Sequence, residues 1–124
     1  MKKLRLAFDI DGTLCNNTIG QYQNAYPYTE MINLVNELHS AGHYIIIHTA
    51  RGMGRYKDVA GQCYTNLYRF TQDQLDSWGV KYDELHLGKL HVDIFVDDKG
   101  FQVNPDGSSS DNLRTFISKI TNDS

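Results

Sequence analysis

The sequence predicts an α/β domain built on a mainly parallel sheet, and three observations predict it. Apolar runs at 4–8, 43–50 and 93–98 read as strands. The stretches at 29–40 and 58–78 keep helical spacing of their apolar residues, and each closes on a glycine. Strand, helix, strand, helix, strand is the order that lays parallel strands side by side with helices against them.

Each element has its own justification. Residues 4–8 are apolar enough to be buried on both faces apart from Arg5. Residues 15–27 are polar and irregular and finish at Pro27. In 29–40, Met31, Ile32, Val35 and Leu38 share one face, and Gly42 stands just past the end. The run HYIIIHTA at 43–50 holds three consecutive isoleucines, which implies a strand buried on both faces. RGMGRYKD then reads as a loop. Between 58 and 78, Val59, Cys63, Leu67, Phe70, Leu75 and Trp78 keep helical spacing, and Gly79 stops the helix. DIFVDD at 93–98 reads as the third buried strand, and it ends in acid. NPDGSSS is a turn or flexible loop, and 111–120 fits a closing helix with Leu113, Phe116, Ile117 and Ile120 inward. The whole corresponds to a three-layer, Rossmann-like fold. With neither repeat nor linker, the 124 residues read as one domain.

Charge and composition exclude several functions. Twelve basic and fifteen acidic residues leave a net charge of -3, which gives no electrostatic footprint for nucleic acid. A small anion needs only a local positive site. The basic start, Met1-Lys2-Lys3, is followed by an apolar run broken by Arg5 and Asp9, so no export segment is expected, nor a membrane span. Cys15 and Cys63 have neither CxxC nor zinc spacing and read as free thiols of a cytoplasmic chain.

Right-handed crossovers bring the carboxyl ends of parallel strands to one edge, where such folds place their ligands. The first predicted strand ends in Asp9 and Asp11, the second in Thr49 and Arg51, the third in Asp97 and Asp98. Lys89 lies just before the third. Four carboxylates gathered there would repel one another, and a hard cation such as Mg2+ answers that, taking carboxylates together with water and substrate phosphate. One carboxylate can attack phosphorus, and the other, two residues on, can protonate the leaving oxygen and later deprotonate a water. Gly12 permits a sharp turn, while the Thr49 hydroxyl and Lys89 ammonium suit phosphoryl oxygens.

These residues resemble a known family. DxDGT at 9–13, an apolar strand ending in Thr49, then Lys89, then Asp97–Asp98 are similar in order and spacing to the four motifs of the haloacid dehalogenase-like superfamily of phosphatases. The resemblance implies a phosphatase domain over 1–124 and a Mg2+ cofactor. It implies Asp9 as nucleophile and Asp11 as general acid and base. Thr49, Ala50, Arg51 and Lys89 become the substrate-binding candidates, with Thr49 and Lys89 also catalytic. Asp97 joins Asp9 and the backbone carbonyl of Asp11 on the metal, with Asp98 acting around it through water. More narrowly, HTARGM, GVKYDELHLGK and VDDKGFQVNP resemble the bacterial capsule polysaccharide biosynthesis phosphatases, which implies a sugar phosphate as substrate. That group usually carries a proline where this chain has Leu90.

Competing readings apply at several positions. Counted from Asp9, a calcium loop would want Gly and Glu where the chain has Leu14 and Gly20, so that pattern fails. Arg51 could cap its loop instead of meeting substrate, and Asp98 could simply hold Lys89 or a backbone N–H. His48 reads as a packed strand residue, whereas Tyr22, Tyr26 and Tyr28 could form a flap or pack as an ordinary loop. Neither gap between motifs holds a lid domain, which leaves room for a neighbouring subunit in a homo-oligomer. An uncapped site also admits a nucleotide or polynucleotide end, and a module that binds phosphate without turnover is the rival from another class.

Overall fold

The computed structural model describes residues 2–122, so Met1, where the basic start opens, lies outside the described residues. Three parallel strands, β1 (Arg5–Phe8), β2 (Tyr44–Thr49) and β3 (Glu84–Leu87), form one sheet in the order β1-β2-β3. Helix α1 (Thr29–Ser40) connects β1 to β2, α2 (Ala60–Ser77) connects β2 to β3, and α3 (Ser110–Asn122) follows. The α/β, Rossmann-like class and the parallel sheet therefore stand as expected.

The burial of the strands differs from face to face. Register pairs Leu6 with Ile45 and Phe8 with Ile47, then Ile47 with Leu85 and Thr49 with Leu87, so these residues share one face. That face is the core, with Ile45 and Ile47 fully buried. The opposite face carries Arg5, Ala7, Tyr44 and His86, all exposed. The reason is topological: both crossovers step the same way along the sheet, and right-handed crossovers in one direction put both helices on one face. Burial therefore alternates along β1 and β2, which are not buried on both faces.

The expected third strand at 93–98 is not a strand. Ile94, Phe95 and Val96 are exposed, at 76%, 52% and 93%. The free edge of β2 is taken instead by ELHL, whose Leu85 and Leu87 alternate with outward residues as a half-buried strand should. Asp83 fixes that register, because its carboxylate accepts from Ile45 N at 2.8 Å and its own N–H donates to Ile45 O at 2.8 Å.

Helix α1 matches the expected span and buries Met31, Ile32, Leu34, Val35 and Leu38. In α2, Cys63, Leu67, Thr71 and Leu75 face inward. In α3, Leu113 and Ile117 are buried as expected, but Phe116 and Ile120 are 45% and 36% exposed. The helix packs on α1, tied by Arg114 to Glu37 at 3.2 Å, while the Phe116 ring lies 5.2 Å from that of Phe101.

Candidate active site

The site begins where β1 stops. Ile10, fully buried, anchors a tight turn in which the N–H groups of Thr13 and Leu14 both donate to Ile10 O. With Ile10 turned into the core, its neighbours Asp9 and Asp11 face the other way, into a common cavity of about 690 Å³. Gly12 has φ +83°, a left-handed conformation that few side chains tolerate, and this bends the chain back. The turn is held from behind by the loop that follows, where Tyr28 N donates to Leu14 O at 2.8 Å.

The other two strand ends complete the cavity wall. Thr49, 1% exposed at the end of β2, accepts a hydrogen bond from Arg51 N through Oγ1 at 3.1 Å. Its carbonyl accepts from Lys89 N at 3.1 Å. Gly88, at φ +92°, turns the chain directly after β3. Lys89 therefore follows the third strand of the sheet instead of preceding it. Its Nζ lies 3.3 Å from Asp9 Oδ2, while Asp9 Oδ1 accepts from Ile10 N at 2.8 Å. Asp9, Asp11, Thr49, Ala50, Arg51 and Lys89 all line the cavity.

Arg51 lies in the cavity wall with its guanidinium turned to Asp11. Its Nε donates to Asp11 Oδ2 at 2.9 Å and its Nη2 to Asp11 Oδ1 at 3.1 Å, and the side chain is 0% exposed. Tyr22 covers the guanidinium with its ring centroid 4.7 Å away, and the Tyr22 hydroxyl accepts from Gly52 N at 2.9 Å. Within the tyrosine-rich loop, then, Tyr22 packs inward and Tyr28 donates its hydroxyl to Pro105 O, whereas Tyr26 is exposed. Beside the pair, the Cys15 thiol is pushed up to about 12, by burial first and then by the Asp11 charge, so it stays protonated. Cys15 and Cys63 are free and buried. His48 is half-buried on β2, and burial, then Lys89, lowers its pKa, as suits a neutral packed residue.

The second acidic pair does not join the first. Asp97 and Asp98 are exposed and lie outside the cavity lining. Asp97 Oδ1 instead accepts from Lys99 N at 3.0 Å and Gly100 N at 2.8 Å, which holds its carboxyl below the usual range. The segment reaches the cavity through Phe95, whose ring centroid lies 5.0 Å from Lys89 Nζ. Among the described residues no three His, Cys, Asp or Glu side chains gather to hold a metal. Mg2+ asks for free oxygens. Both Asp11 oxygens are held by Arg51, and Asp9 is already paired with Lys89, so the carboxylates as arranged do not make a magnesium site.

Sequence reasoning missed the cavity rim formed by Asn17, Ile19, Arg55 and His91. The signal for it was the second arginine of RGMGR, in the same loop as Arg51.

The haloacid dehalogenase-like hydrolases match the chain over residues 6–71, which takes in Asp9, Asp11, Thr49 and Arg51. A Vibrio cholerae target protein of known crystal structure is 30% identical, with 95% of this chain and 98% of that one covered and a TM-score of 0.75. No curated protein matches significantly. The chain belongs to the haloacid dehalogenase-like hydrolase family.

Proposed function

We propose that the protein is a phosphomonoester hydrolase that works through an aspartyl-phosphate on Asp9. One observation carries the reading: the Asp9 carboxylate lies 3.3 Å from the Lys89 ammonium in a cavity that also holds Thr49 and Asp11. The family supports hydrolytic chemistry, and the geometry supports phosphorus as the centre attacked. Lys89 offsets the negative charge of Asp9, which would otherwise repel an incoming phosphate dianion. A hydroxyl has one proton to donate, and Thr49 Oγ1 already accepts from Arg51 N, so its O–H is free for a phosphoryl oxygen.

The steps follow from these placements. An Asp9 oxygen forms a bond to phosphorus as the ester P–O bond breaks, and Asp11, carrying a proton, passes it to the leaving oxygen. A water then attacks phosphorus, Asp11 takes its proton, and the Asp9–phosphorus bond breaks to release phosphate. Lys89 and Thr49 stabilise the charge that builds on the phosphoryl oxygens.

The family chemistry supports Mg2+ as cofactor, although the carboxylates as arranged do not form its site and Asp97 and Asp98 lie outside the cavity. The substrate of this reading is a sugar phosphate of surface polysaccharide synthesis, handled in the cytoplasm. The likeness of HTARGM and VDDKGFQVNP to the capsule polysaccharide biosynthesis phosphatases supports it. So does the cavity, which is larger than a phosphate needs. The test is a panel of sugar phosphates, nucleotides and an aryl phosphate, assayed for phosphate release with Mg2+ and with chelator. Release from a sugar phosphate that chelator abolishes is expected. No release from any ester overturns the enzyme reading, and release from nucleotides alone overturns the substrate class.

A further inference from the structure

We infer that Arg51 is a positioning residue for Asp11 and does not touch the substrate. The inference rests on the phosphatase reading for what Asp11 does, and on geometry for what Arg51 does. A guanidinium matches a carboxylate in a planar fork, so two parallel bonds fix both the position of Asp11 and the plane of its oxygens. Both are present, at 2.9 and 3.1 Å. Asp11 keeps 18% of its side chain exposed toward the cavity, whereas Arg51 keeps none. The side chain a substrate could meet is therefore that of Asp11.

Two features argue against a bridge that serves stability alone. Among the described residues Arg51 Nη1 is buried without a hydrogen-bond partner, a costly state for a guanidinium. Buried ion pairs are, moreover, often matched or bettered in stability by apolar residues of similar volume. What such a residue cannot supply is orientation. The support is itself braced: Tyr22 lies over the guanidinium, its hydroxyl accepts from Gly52 N, and its carbonyl accepts from Gln74 Nε2 at 2.8 Å. Arg51 thus links α2 and the loop after β2 to the carboxylate that must meet the leaving oxygen. Misplacing a reacting group by about 1 Å can cost about 10²-fold in rate.

The experiment is a double-mutant cycle on Asp11→Asn and Arg51→Met, with Arg51→Lys as the variant that keeps charge and loses the fork. Steady-state phosphatase kinetics and thermal unfolding are both read. Arg51→Met and Arg51→Lys should each lose about 10²-fold in kcat with KM nearly unchanged. Asp11→Asn with Arg51→Met should be no slower than Asp11→Asn alone, and Asp11→Asn should lower Tm less in the Arg51→Met background than in the wild type. Three results overturn the inference: a raised KM with kcat kept, wild-type kcat in Arg51→Lys, or losses that add in the double variant. A wild-type protein without phosphatase activity defeats the enzyme reading alone. The thermal cycle still decides whether Arg51 holds Asp11, and equal Tm losses in both backgrounds would show that it does not.

Discussion

Asp9 and Lys89 face each other across 3.3 Å, joining the end of the first strand to the turn after the third. The contact follows from the sheet. β1 and β3 both border β2, their carboxyl ends lie at the same edge, and Lys89 N is tied to Thr49 O between them. Asp9→Asn should keep the fold and reduce phosphate release to the assay background, because an amide does not attack phosphorus. Lys89→Ala should cost about 10²–10³-fold in kcat, the usual loss for removing one group that stabilises developing charge. Turnover by Asp9→Asn within tenfold of wild type would remove Asp9 as nucleophile.

Asp83 fixes the register of β3, and its removal should be felt as stability. Asp83→Ala leaves the Ile45 N–H, on a fully buried residue, without its carboxylate partner at 2.8 Å. The expected loss is about 1–3 kcal/mol by urea unfolding. Asp83→Asn retains an acceptor oxygen and should lose less. Equal losses for the two would place the effect in the charge facing His39 at 3.5 Å, not in the backbone bond.

What could be read in the sequence was local chemistry, and what could not was pairing. Met31, Ile32, Val35 and Leu38 define α1 by spacing alone, and Gly42 marks its end at φ +96°. DIFVDD and ELHL show the limit. The first is the more apolar run and pairs with neither edge of the sheet, whereas ELHL pairs with β2 and is held in register there by Asp83. At the site, the gathering of Asp9, Asp11 and Thr49 was legible because strand ends carry them to one edge, whereas Lys89 reaches the same cavity from behind the third strand and not from in front of it. The side of the chain to which Arg51 turns its guanidinium is a tertiary fact, set by Tyr22 and Asp11. The placing of Asp97 was tied to the reading of 93–98 as a strand, and with that strand absent the carboxylate lies outside the cavity.

Thr71 offers a stability test away from the site. It is fully buried in α2, and its Oγ1 has no hydrogen-bond partner among the described residues. Thr71→Val exchanges the hydroxyl for a methyl group of similar shape, removing an unpaired polar atom from the core. Stability should rise by about 1 kcal/mol, seen as a higher urea midpoint at unchanged slope. A lower midpoint would mean that the hydroxyl is satisfied in solution.

His43 should make stability fall on mild acidification. It is 4% exposed at the start of β2, and its Nδ1 accepts from Leu4 N at 3.0 Å, which requires that nitrogen to be unprotonated. Burial first, then the charge of Lys3, lowers its pKa from the ordinary 6.5. The unfolded chain therefore binds the proton more readily than the folded one, so stability rises with pH over this range. The contribution is fully present above about pH 6.5 and is lost progressively as pH falls from there toward the folded-state value. His48, lowered in the same direction, adds to the slope. The carboxylates with lowered pKa values, Glu84, Asp97 and Asp106, act only at lower pH. Thermal unfolding from about pH 7.5 down to about pH 5 isolates the histidine window. The wild type should lose Tm through it, and His43→Asn, which cannot take up that proton, should lose less. An identical slope in His43→Asn would show that this imidazole accepts its proton as readily folded as unfolded, and that the Leu4 hydrogen bond does not hold it neutral.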